Sequence, residues 1–214
     1  MSRENKILPQ VFDSIESAEN LSEIFETYFD RGVSLNYKNV VELTSSSASQ
    51  SEKLMMLKSR VESKLGISDS YQFDKLWLVE SLSTDTDEAK LPYIPHIDYK
   101  RYLKVMIYVD SVTEKSGPLH AVKVDPEDYE GFRKCLKPDY KIRQENEIQD
   151  LDLGEYKAYT GEEGMVILFD TNCPHFAGQV SEGNVRRVFR FDYYKTAWRK
   201  EKNGLLVKIR NLIS

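Results

Sequence analysis

The chain has 214 residues, 40% of them hydrophobic and 30% charged, with a formal net charge of −5. Such a length suits one domain with a sizeable core, and the mild acidity argues against a nucleic-acid partner, which needs clustered Lys and Arg. No apolar run approaches the roughly 18 residues that span a bilayer, the N-terminal "MSRENKILPQVFDS" lacks the apolar centre of a signal peptide, and two cysteines, Cys135 and Cys173, are too few for a disulfide framework. A cytoplasmic protein with free thiols is expected.

The first third, residues 1–68, reads as helical. Leu21, Ile24, Phe25 and Tyr28 have helical spacing, and Asp30 and Gly32 mark the end of that segment. A Ser-rich stretch then offers a cap for a second amphipathic helix with Leu54, Leu57, Val61 and Leu65 on one face. From residue 71 the texture changes to short runs rich in β-branched and aromatic residues: "YQFDKLWLVES", "RYLKVMIYVD", "GPLHAVKV", "YKAYT", "GMVILFD" and "RRVFRFDYY". Turn residues separate them, which points to an antiparallel sandwich or barrel. Residues 125–164 interrupt the rhythm as a long charged insertion, either a lid or plain surface, with a short helix suggested by Tyr129, Phe132 and Leu136. The last stretch, "KTAWRKEKNGLLVKIRNLIS", suggests a terminal helix.

The chemistry concentrates in "PHIDYKRYLKVMIYVD" and "GMVILFDTNCPHFAGQ". In an extended segment residues i and i+2 share a face, so His96 and Asp98 converge on one point. A distal histidine, His175, follows a strand and a Pro-containing turn. Two histidines and one carboxylate form the facial triad of non-haem Fe(II) oxygenases, leaving three coordination positions for a cosubstrate and O2. Arg186 and Arg187 open the next strand. A guanidinium fork suits the far carboxylate of 2-oxoglutarate.

With "SVTEKSGPL" between the two halves, the stretch from about residue 70 to 195 resembles the Fe(II)/2-oxoglutarate-dependent dioxygenases, and among them the phytanoyl-CoA dioxygenase-like group. The resemblance implies a mainly β fold with flanking helices, a double-stranded β-helix or jelly roll. It also implies Fe(II) held by His96, Asp98 and His175, and 2-oxoglutarate anchored by Arg186, with Arg187 as the alternative one residue on. Hydroxylation of a C–H bond of a small-molecule substrate, with release of succinate and CO2, is the function it implies; a non-catalytic metal-binding jelly roll and a cupin-type metal enzyme without an oxo acid are the alternatives. "HAVKVDPEDY" replaces the "PGSH"-like stretch of many relatives, and Ala177 replaces a small hydroxyl residue two positions after the distal histidine. The retained Asp98 argues against the halogenase branch. His120 and Cys173 read as ordinary packing residues, as do Trp77 and Trp198. Tyr93, Tyr99 and Tyr108 flank the metal segment, one of them within possible reach of the cosubstrate. Arg190 is open between pairing with Asp192 and reaching an acidic substrate group.

Overall fold

The computed structural model describes residues 8–15, 20–29, 33–35, 38–44, 51–67, 70–83, 92–135 and 155–195. Among these, two antiparallel sheets face each other. The larger has seven strands in the order β1-β8-β5-β10-β4-β3-β2, and the smaller has three in the order β7-β6-β9. The strands are β1 (Gln10–Phe12), β2 (Val33–Leu35), β3 (Lys38–Thr44), β4 (Tyr71–Leu82), β5 (Leu103–Tyr108), β6 (Leu119–Ala121), β7 (Lys157–Tyr159), β8 (Val166–Asp170), β9 (His175–Ala177) and β10 (Val185–Lys195).

Side-chain alternation along the central strands gives each face of the large sheet its own core. On β10, Phe189, Phe191 and Tyr193 point to one side, where they join Leu76, Leu78, Val105 and Ile107. Helices α1 (Leu21–Phe29) and α2 (Glu52–Leu65) cover this side with Leu21, Ile24 and Phe25 and with Leu54, Leu57 and Val61. The helical spacing read from the sequence is therefore the spacing that packs. Ser51 caps α2 by accepting from the Leu54 N–H, and Gly66 closes it at φ 58° with its N–H on the carbonyls of Glu62 and Ser63. The opposite face holds Val79, Met106, Ile167, Phe169 and Val188, packed against Leu119, Ala121 and Tyr159 of the small sheet. β5 is buried at all six positions because both layers cover it.

The N-terminal part is less helical than its sequence suggests. Besides the two helices it supplies β1 at one edge of the large sheet and β3 and β2 at the other. β1 and β2 have three residues each, too short to show a period of two, and their pairing is decided by the strand they dock on. Within the expected insertion, a 3-10 turn at Pro126–Tyr129 leads into α3 (Glu130–Cys135), and β7 returns the chain to the small sheet. The helix expected at the C-terminal end, Trp198, and residues 136–154 of the 125–164 segment lie outside the described residues.

Candidate metal and cosubstrate site

The site forms where the small sheet closes on the inner face of the large one. His96 and His175 are directly opposite one another in an antiparallel bridge, each N–H bonded to the other's carbonyl at 2.9 and 2.8 Å. Residues paired in this way present their side chains on the same face, and the two rings lie with centroids 4.4 Å apart. Each ring places Nδ1 on a main-chain carbonyl two residues earlier, His96 on Ile94 at 2.7 Å and His175 on Cys173 at 2.9 Å. A carbonyl only accepts, so both Nδ1 atoms carry the proton, and Nε2 is the atom that each ring could offer a metal.

Asp98 completes the set. Its Oδ1 is 3.7 Å from His96 Nε2, and one ligand atom from each of His96, Asp98 and His175 lies within 4.8 Å of the others. Octahedral bonding at metal–ligand distances near 2.1 Å needs separations of roughly 3 Å, a contraction within reach of side-chain rotation. Oδ2 of Asp98 accepts from Tyr102 Oη at 2.7 Å and from Lys104 Nζ at 3.4 Å. Burial alone would raise the Asp98 carboxyl. Lys104, both imidazoles and the Tyr102 hydroxyl outweigh that and hold it well below the usual carboxylate range. Burial, with His96 and Lys104 beside it, pushes His175 well below the ordinary imidazole value. At neutral pH Asp98 is thus a carboxylate and His175 a neutral imidazole, the protonation states a divalent ion accepts. Tyr102→Phe removes one of the two donors that orient Asp98. Divalent-metal affinity is expected to fall roughly 10- to 100-fold, by calorimetry, with the fold unchanged.

The loop before His175 is clamped. Arg101 places Nε on both oxygens of Asp170, at 3.1 and 2.9 Å, and reaches Glu127 and Glu130 with its other nitrogens. Asp170 in turn accepts from the Asn172 N–H, and Asn172 donates to the Pro126 carbonyl. Backbone bonds from Asp98 N–H to the Thr171 carbonyl, and between Thr171 and Tyr102, tie the two ligand-bearing segments together. A second support is the "SGPL" turn. Gly117 sits at φ 70°, and a Cβ there would lie 2.5 Å from the Gly178 carbonyl, just beyond β9. Gly117→Ala is expected to cost at least about 2 kcal/mol of stability in chemical denaturation, through the left-handed backbone and the clash together.

The two arginines part company. Residues Arg186, Val188, Arg190, Asp192 and Tyr194 of β10 line a cavity of about 540 Å³ that also contains the three ligands. Arg187 faces the other way. It forms a fork on Asp110 at 2.7 and 2.6 Å, adds an ion pair to Glu26, and lies over the Phe25 ring. Arg187 lies outside the cavity that Arg186 lines, because one step along a strand changes face. Arg186 is 7% exposed. Its Nη2 donates to Ser81 Oγ at 3.2 Å, directly across the β10–β4 pair. Its Nε is buried with no hydrogen-bond partner. Burial disfavours its charge, and the groups that offset this are the tyrosines Tyr108 and Tyr93. A buried guanidinium with an empty donor and no carboxylate among the described residues is poised for an anion.

The remaining candidates settle as follows. His120 stacks on Phe176 with centroids 4.5 Å apart and places Nδ1 on Pro118 O, and it is not part of the cavity wall. Cys173 is buried in the helix-covered core with its thiol on the Leu8 carbonyl. Ala177 does line the cavity, as does Ser81 of β4, which brings a hydroxyl there. Trp77 packs against the inner core, as read, and also forms part of the cavity wall, as does Tyr93, whereas Tyr108 is fully buried with its hydroxyl on the Tyr159 carbonyl. Sequence reasoning missed Ser81, Tyr102 and Lys104. Lys104 had a signal: it is the one charge inside the apolar run "LKVMIYV".

No family model and no curated protein matches this sequence. Solved structures do. HygX from Streptomyces hygroscopicus, with nickel, 2-oxoglutarate and hygromycin B bound, superposes with a TM-score of 0.56 at 14% identity, covering 92% of this chain and 88% of that one. EvdO2 from Micromonospora carbonacea gives 0.58 at 15% identity over 88% of this chain and 86% of that one. The fold is a double-stranded β-helix. SnoN, a non-haem α-ketoglutarate-dependent epimerase from nogalamycin biosynthesis, gives 0.63 at 14% identity over 91% of this chain and 81% of that one. Within the β-helix, the metal-ligand candidates lie at the mouth between the sheets, the position in which barrels and sandwiches commonly hold ligands.

Proposed function

We propose that the protein is an Fe(II)- and 2-oxoglutarate-dependent oxygenase that hydroxylates a C–H bond of a small molecule. The observation that carries this reading is Arg186, a buried guanidinium without a carboxylate partner, in the same cavity as two Nε2 lone pairs and an ionised Asp98. A metal held only for structure has no use for such an arginine, and neither has a cupin-type enzyme that dispenses with an oxo acid. The neighbours named above include proteins crystallised with metal and 2-oxoglutarate, which supports the same assignment. The order of motifs favours the phytanoyl-CoA dioxygenase-like branch.

In this reading His96, Asp98 and His175 hold Fe(II), and Arg186 with Ser81 holds the far carboxylate of 2-oxoglutarate. The bound iron supplies activation of O2 coupled to oxidation of the oxo acid. The balance is 2-oxoglutarate, O2 and R–H going to succinate, CO2 and R–OH, one oxygen atom entering each of succinate and product. The chain's share is geometric and electrostatic. The Nδ1–H bonds to Ile94 and Cys173 fix both rings. Tyr102 and Lys104 fix the Asp98 oxygen that faces away from His96. Met106, Phe169 and Val188 give the cavity an apolar side that limits water.

The test is an aerobic assay of 2-oxoglutarate consumption and succinate release across a panel of small molecules. At least one compound is expected to raise succinate release and yield hydroxylated product in equal amount. Metal binding with no consumption of 2-oxoglutarate under any condition assigns the protein as a non-catalytic metal binder. Turnover that does not require 2-oxoglutarate assigns the cupin-type alternative.

A further inference from the structure

We infer that the substrate carries an anionic group, a carboxylate or a phosphate, and that Arg190 receives it. The inference rests on the oxygenase reading for the word substrate, and on the cavity alone for the anion. Five cationic side chains line the cavity: Lys75, Lys100, Lys104, Arg186 and Arg190. They face two carboxylates, Asp98 and Asp192. A divalent metal and the dianion of 2-oxoglutarate cancel one another, so the loaded cavity keeps an excess of three positive charges. Glu42, bonded to Lys75 at 3.2 Å on the partly exposed rim, offsets one. A low-dielectric cavity focuses what remains, and a neutral or cationic substrate leaves it uncompensated.

Arg190 is built to meet the anion. It lies on the same face of β10 as Arg186, four residues on, which separates the two by about 13 Å along the strand. The cosubstrate therefore takes the Arg186 end and the substrate the other. Across the β10–β4 register Arg190 pairs with Trp77 and Asp192 with Lys75. The guanidinium lies 4.6 Å from the Trp77 ring centroid. Its Nε and Nη2 bond Asp192 at 3.0 and 2.8 Å, and Asp192 also accepts from Trp77 Nε1 at 2.8 Å. Asp192 is thereby saturated and buried. It orients the fork and leaves Nη1 without a protein hydrogen bond among the described residues. Lys75 lies 4.8 Å from the centroid of the same indole, so a second cation packs on the same ring. An ion pair kept only for structure needs no flanking lysines.

The test uses full-length protein loaded anaerobically with Fe(II) and 2-oxoglutarate, so that Arg186 and the metal are occupied. Inorganic phosphate, propionate, propionamide and propylamine are titrated by calorimetry. Saturable binding of phosphate or propionate is expected, and which of the two binds tells phosphate from carboxylate recognition. In Arg190→Gln that binding is expected to weaken at least tenfold. Lys75→Gln, on the rim, is expected to weaken it roughly two- to fivefold. Absence of saturable anion binding, equal binding of the amide or amine, or unchanged affinity in Arg190→Gln overturns the inference. Should the loaded chelate fail to form, the oxygenase reading falls by itself. The same titrations on metal-free Arg186→Gln protein then decide the anion site with the same outcomes. If Arg190→Gln does not fold, the Lys75→Gln series carries the decision.

Discussion

Asp98→Ala is expected to lower divalent-metal affinity by more than about a hundredfold and to abolish substrate-dependent succinate release. Loss of a group that only orients a ligand costs roughly 10- to 100-fold, and loss of the sole anionic ligand exceeds that. The substitution also strips Lys104 of the carboxylate at 3.4 Å that offsets its burial, so the metal-free variant is expected to fold with a lower melting temperature. Adding Lys104→Met removes the buried charge and is expected to recover part of that stability while metal affinity stays lost. Circular dichroism, thermal melts and metal calorimetry on the single and double variants separate the two effects. Wild-type metal affinity in Asp98→Ala contradicts the ligand assignment.

The second large effect has opposite signs in the empty and loaded protein. Arg186→Met deletes a buried charge whose Nε has no partner, so metal-free protein is expected to hold its stability or gain about 1–3 kcal/mol. On the proposed function the same change removes the anchor for the far carboxylate of 2-oxoglutarate. Truncating one side of a buried, hydrogen-bonded charge pair costs about 2–5 kcal/mol, which weakens 2-oxoglutarate binding roughly 30-fold or more. Denaturation without ligand and calorimetry with metal and 2-oxoglutarate give the two halves. An arginine kept for structural reasons gives the reverse pattern: a less stable protein and unchanged affinity. Arg187→Met, by contrast, breaks the fork on Asp110 and leaves 2-oxoglutarate affinity in place.

The convergence of His96, Asp98 and His175 was legible because its geometry is local. His96 and Asp98 are two residues apart, and His175 follows a strand and a proline turn that are visible in the letters. The choice between Arg186 and Arg187 was legible in part. Phe189, Phe191 and Tyr193 continue the face of Arg187 into the helix-covered core, whereas Val188, Arg190, Asp192 and Tyr194 continue the face of Arg186. The partners that complete the site were not legible. Ser81 meets Arg186, and Trp77 meets Arg190, through the register of β4 on β10, which no local pattern encodes. The same holds for β1, β2 and β3, whose strand character comes from the edges they extend. Helices α1 and α2 were readable for the opposite reason: their spacing of apolar residues and the Ser51 cap are properties of one segment.

The proposed function requires one cavity that holds a ferrous ion on His96, Asp98 and His175 and an oxo acid between that ion and Arg186. Anaerobic titration of the protein with Fe(II) and then 2-oxoglutarate, followed in the visible, measures this directly. A weak metal-to-ligand charge-transfer band that saturates at one equivalent of iron in the wild type, is absent in Asp98→Ala and needs far more 2-oxoglutarate in Arg186→Met is the expected result. No band in the wild type despite bound iron, or an undiminished band in both variants, contradicts it.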